Sequence, residues 1–145
     1  MFTTPCFIRK NTKELRDKLN AIGHKLNHGK VWGRCLCVFQ TEDSDEWRYV
    51  ASPLLELEDM PNYENSIDCG DNEELFLYTA ALRDDSDNFQ LFFNNKDFDC
   101  EYPTECIHDE FHMFAIDQDT CERIDHTDEY HKGTPDELQK HFLNK

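Results

Sequence analysis

The chain has 145 residues, 31 Asp and Glu against 15 Lys and Arg for a net charge of −16, and is 38% hydrophobic with 11 Phe, 5 Tyr and 2 Trp. That length fits a single globular domain over residues 1–145 with one sizeable core, and with this aromatic content the acidity need not mean disorder, so a folded protein is expected. No stretch approaches the roughly 18 apolar residues of a membrane span, and Met1-Phe2-Thr3-Thr4-Pro5-Cys6 lacks the basic start and apolar run of a signal peptide, so the expectation is a cytoplasmic protein with no membrane contact.

Pro5-Cys6-Phe7-Ile8-Arg9 reads as a short strand. Asn11 then offers an N-cap with Glu14 three residues on, Leu15, Leu19 and Ile22 follow at helical spacing, and Gly23 stops the helix. The outer positions of this helix hold Lys13, Arg16, Asp17, Lys18 and Asn20, a mainly basic face. The continuous run Arg34-Cys35-Leu36-Cys37-Val38-Phe39-Gln40 predicts an inner strand covered on both sides. Trp47-Arg48-Tyr49-Val50-Ala51 resumes strand character after the polar residues 41–46, which predicts a hairpin ended by Pro53.

The central feature is residues 71–82. Asp71 is expected to cap, with Glu74 three residues later, and Leu75, Phe76, Leu77, Tyr78, Ala80, Ala81 and Leu82 leave no wet face, so this helix belongs in the core. Phe89-Gln90-Leu91-Phe92-Phe93 predicts a strand, and Asn94-Asn95-Lys96-Asp97 a turn that pairs it with Phe98. Residues 111–117 and 121–124 read as a further strand pair. Thr134-Pro135-Asp136-Glu137 is a capping box with Pro at the first helical position, opening a last helix through Leu138 and Phe142.

These elements define an α+β fold, with a mainly antiparallel sheet and three helices. The helix starts at Asn11, Asp71 and Thr134 each have Glu then Leu at the third and fourth following positions, and the leucines recur after 60 and 63 residues. That spacing suggests tandem β-α-β-β units closed by a C-terminal helix.

Seven cysteines (Cys6, Cys35, Cys37, Cys69, Cys100, Cys106 and Cys121) cannot all pair, and most lie beside strand-like apolar residues, so they are expected reduced and buried. Cys69, just before a helix N-terminus, is the best-placed nucleophile by dipole. The segment 100–131 holds the ligand types for a small metal- or cysteine-dependent enzyme: His108, His112, Cys121, His126 and His131. His108 and His112 are four apart, as on a metal-binding helix, but Asp109 stands where the zincin motif has Glu. On a strand the two would lie about 13 Å apart, too far to share an ion. Cys121, His126 and His131 lack a Cys-x-x-Cys pair. None of the five glycines falls in a phosphate-loop spacing, so no cofactor is expected.

The charge distribution gives the stronger functional signal. Residues 1–40 carry +6, 41–83 carry −10, 84–129 carry −13 and 130–145 carry +1. A molecule of this sign is a poor direct nucleic-acid binder, despite basic residues 9–30, because phosphate neutralisation requires cations. The expectation is a non-catalytic interaction module that engages a basic protein, such as a nucleic-acid-binding protein, as a nucleic-acid mimic or inhibitor. The carboxylates Asp84, Asp85, Asp87, Asp97, Asp99 and Glu101 are its candidate contacts, and the protein itself is expected to be a monomer or weak homodimer.

Overall fold

The computed structural model describes residues 3–27, 29, 31–41, 46–53, 63–83, 90–94, 112–115 and 130–143; for 94, 112–115 and 130 it describes the backbone. The chain divides into two compact units, Met1–Leu82 and Arg83–Lys145. Both α-helix and β-sheet are present, in the α+β class.

The first unit runs β1 (Cys6–Ile8), α1 (Lys13–Ala21), β2 (Lys25–Leu26), β3 (Cys35–Gln40), β4 (Trp47–Ser52), a 3-10 turn (Tyr63–Asn65), β5 (Ile67–Asp68) and α2 (Glu73–Ala80). Its five strands stand in the order β2-β4-β3-β1-β5. The β3–β4 hairpin pairs Gln40 with Trp47 and Cys35 with Ser52, and β3 is an inner strand, as its unbroken apolar run requires. The pairing is mainly antiparallel, as expected, but the five-stranded sheet is mixed: β1 and β5 are parallel, as are β2 and β4. Those departures come from two-residue strands, too short to carry any hydrophobic period in the sequence.

Strand alternation sorts the core. Phe7, Cys35, Cys37, Phe39 and Val50 form one buried cluster, against which Tyr63 packs. The alternate residues meet the helices: the Cys6 thiol lies 3.9 Å from the Phe76 carbonyl of α2, and the Tyr49 hydroxyl donates to Asn20 Oδ1 of α1 at 2.9 Å. Helix α1 buries Leu15 and Leu19, whereas α2 buries Leu75, Phe76, Thr79 and Ala80, with Ala81 and Leu82 buried just beyond its end. The central helix is therefore a core element, although Leu77 and Tyr78 are half-buried and Glu74 is exposed.

Two of the three expected caps move by one residue. Thr12, not Asn11, caps α1 and accepts from the Leu15 amide at 3.2 Å; Asn72, not Asp71, caps α2 and accepts from the Leu75 amide at 3.1 Å. Each true cap is itself a strong N-cap residue, and Asn11 is engaged elsewhere. Thr134 does form a capping box: its hydroxyl accepts from the Glu137 amide, and Glu137 Oε1 accepts from the Thr134 amide.

The second unit contains β6 (Gln90–Asn94), β7 (His112–Ala115), β8 (Tyr130–Lys132) and α3 (Pro135–Leu143), with strand order β7-β6-β8. Both edges of β6 are occupied, by β7 through Gln90↔Ala115 to Phe93↔His112 and by β8 through Phe92↔Lys132 to Asn94↔Tyr130. Phe98, expected to pair with β6, lies like 121–124 outside the described residues. Gly133 follows β8 so closely against β6 that a Cβ there would stand 2.7 Å from the Phe93 ring, while its amide donates to the Leu91 carbonyl at 2.8 Å. The order β-α-β-β does occur twice along the chain. Its second occurrence is split, however: β5 and α2 complete the first unit, and β6 and β7 belong to a different sheet.

Candidate interaction surfaces

The basic residues near the N-terminus meet acids from later in the same unit. Arg9 pairs with Asp68, Lys10 with Glu73 at 3.4 Å and Lys25 with Glu46 at 3.0 Å; Glu46 also takes Arg48 at 3.0 Å, and Lys13 pairs with Asp17 one turn along α1 at 3.4 Å. Sheet topology creates these contacts. Parallel pairing of β1 with β5 brings Arg9 to Asp68, and β2 beside β4 brings Lys25 to the start of β4. The Lys25 hydrogen bond, then its charge, holds the Glu46 carboxyl below its ordinary range.

By sequence the two units carry unequal charge. Met1–Leu82 carries nine Lys and Arg against fourteen acids, net −5, whereas Arg83–Lys145 carries six against seventeen, net −11. The candidate contacts Asp84, Asp85, Asp87, Asp97, Asp99 and Glu101 all belong to the second unit and lie outside the described residues, as do His108, Cys121 and His126.

The remaining two candidate ligands sit on strands that flank β6, with His112 and His131 each in register with Phe93. His131 Nε2 is 2.7 Å from Glu137 Oε2, and its ring stacks on Phe93 at 6.3 Å between centroids. Glu137 therefore spends one oxygen on the α3 cap and the other on β8, a role that fastens helix to sheet. Among the described residues, no group of three or more His, Cys, Asp or Glu side chains is arranged to hold a metal ion.

Cys69 is 1% exposed, and its thiol faces the Ile67 carbonyl at 3.8 Å. Its neighbour Cys6 has a pKa raised by burial and by the adjoining Cys69 thiol, and burial pushes Cys37 up to about 12. Cys6, Cys35, Cys37 and Cys69 are free and buried. Such buried thiols pack as small apolar groups, and a nucleophilic cysteine needs the access to solvent and substrate that they lack.

A feature not singled out by motif reasoning lies between α1 and β3. Val31 and Trp32 are 51% and 61% exposed, yet their loop is firmly held. The Asn11 amide donates to both the Val31 and Gly33 carbonyls at 2.9 Å, and Arg16 Nη1 donates to Asn11 Oδ1. Gly33, at φ +136°, lies so close to β4 that a Cβ would stand 2.7 Å from the Ser52 amide nitrogen. The Arg34 amide then donates to the Ser52 carbonyl at 3.2 Å. Its signal in the sequence is two large apolar residues between Gly29 and Gly33, among basic and polar neighbours.

Among the described residues no helix is long and apolar enough to cross a membrane. Set against protein-family models, curated proteins and solved structures, the chain matches none.

Proposed function

We propose that the protein is a non-catalytic interaction module whose acidic second unit engages a basic protein partner, such as a nucleic-acid-binding protein, in the manner of a nucleic-acid mimic or inhibitor. The supporting observation is the unequal charge of the two units. Among the described residues five ion pairs match acids of the first unit to its own cations, and by sequence the second unit carries −11 with six Lys and Arg in total. Dense carboxylates repel one another and oppose folding, and a cationic partner relieves that repulsion while speeding encounter. Asp84, Asp85, Asp87, Asp97, Asp99 and Glu101 are the proposed contacts, and no cofactor takes part.

Affinity capture from cell lysate tests this reading. Wild-type protein is expected to recover a basic protein that is lost when those six residues become Asn or Gln. Recovery of the same proteins by both forms would leave the acidity as a device for solubility.

A further inference from the structure

We infer that the Val31-Trp32 loop of the first unit is a second docking surface, built to hold a short acidic peptide segment of a protein partner around an apolar anchor residue. This rests on unit 1 alone and is independent of the acidic contacts proposed for unit 2. Three observations carry it.

Trp32 and Val31 are adjacent, large and more than half exposed, in a loop that is not loose. Asn11 bridges the carbonyls on both sides of Trp32, and Gly33 seats the loop on the backbone of β4. A tryptophan presented on a fixed backbone loses little freedom on binding, which is why Trp and Arg dominate the energetics of protein interfaces.

The charge beside it is positive. Arg16 reaches the same Asn11 that clamps the loop, and Arg34 follows Trp32 by two residues and is exposed. Neither forms an ion pair among the described residues. The two acids of residues 1–40 are Glu14 and Asp17, and Asp17 is already held by Lys13.

The amount of charge selects the occupant. Charges are screened over about 8 Å at physiological salt, so cations close to Trp32 count for more there than the net charge of the whole chain. Two guanidinium groups match the two or three carboxylates of a peptide, each able to take a carboxylate through paired N–H donors. A nucleic acid brings a phosphate every few ångströms along its length, a run of charge that two guanidinium groups do not match.

Selection from a displayed library of random peptides about twelve residues long, against the full chain, tests the inference. Enriched peptides should carry Asp or Glu around an aliphatic or aromatic residue. A synthetic copy of the best should lose affinity at least about tenfold on Trp32→Ala and on Arg34→Glu, and on changing its own acids to amides. Circular dichroism of both variants should match the wild type, because both side chains are exposed. Any one of four results overturns the inference: selection yielding no binder, enrichment without acids, equal binding by Trp32→Ala, or tighter Trp32-dependent binding of oligothymidylate. Trp32-dependent self-association of the purified protein in sedimentation would overturn it as well, by assigning the surface to a second copy.

Discussion

Arg9 and Asp68 join the ends of two parallel neighbours, β1 and β5, and Asp68 Oδ1 also accepts from the Gly70 amide at 2.9 Å. Burial pushes the Asp68 carboxyl up, but the hydrogen bonds from Arg9 and Gly70 and the charge of Arg9 outweigh it, so its pKa falls below the ordinary value. A carboxyl with a depressed pKa contributes stability that is complete above its unfolded pKa of about 3.9 and is lost as pH falls through the folded value. Denaturant unfolding followed from pH 6 down to pH 2 should show Asp68→Asn losing less stability across the acid limb than the wild type. Parallel acid limbs would mean that the pair contributes nothing to folding.

The central helix should govern the stability of the first unit. Leu75 and Leu82 are both essentially inaccessible, and truncating such residues removes transfer energy and leaves a cavity. Leu75→Ala and Leu82→Ala should each cost about 2–5 kcal/mol in chemical denaturation. A loss below about 1 kcal/mol at both would contradict the burial of α2.

The caps make a paired prediction. Thr12→Ala and Asn72→Ala should each cost about 0.5–2 kcal/mol, whereas Asp71→Ala should cost less, because the Asn72 side chain holds the Leu75 amide. Equal costs at Asp71 and Asn72 would return the cap to Asp71.

Buried thiols should be silent. Cys6, Cys35, Cys37 and Cys69 are buried, and burial also pushes the Cys37 pKa up to about 12, so alkylation of native protein at pH 8 followed by peptide mapping should leave all four unmodified. Denaturant should expose all four together. Rapid labelling of Cys69 in the native state would revive it as a nucleophile.

Much of the fold was legible where the sequence carries a period. Leu15 and Leu19 marked α1, the unbroken run 35–39 marked an inner strand, and the Thr134 box marked α3. The caps at Asn11 and Asp71 were misplaced because two cap-competent residues stand side by side, and the contact that engages Asn11, with carbonyls twenty and more residues away, is tertiary. Strands β2, β5 and β8 have two or three residues and no period to read. At β6 no local pattern announces the partners that flank it, which come from 112–115 and 130–132. The proposed acidic contacts rest on charge alone, because charge density gives a sign and not a geometry. Trp32 escaped notice because exposure follows from the clamp at Asn11 and Gly33, which no local pattern encodes.

If carboxylates of the second unit bind a basic protein, the affinity for the captured partner depends on salt. Isothermal titration across a series from about 50 to 300 mM salt should show binding that weakens steeply as exposed charges are screened. With Asp84, Asp85, Asp87, Asp97, Asp99 and Glu101 neutralised, the account predicts weaker binding and a flatter dependence on salt. Equal affinity and an equal slope for both forms would contradict it.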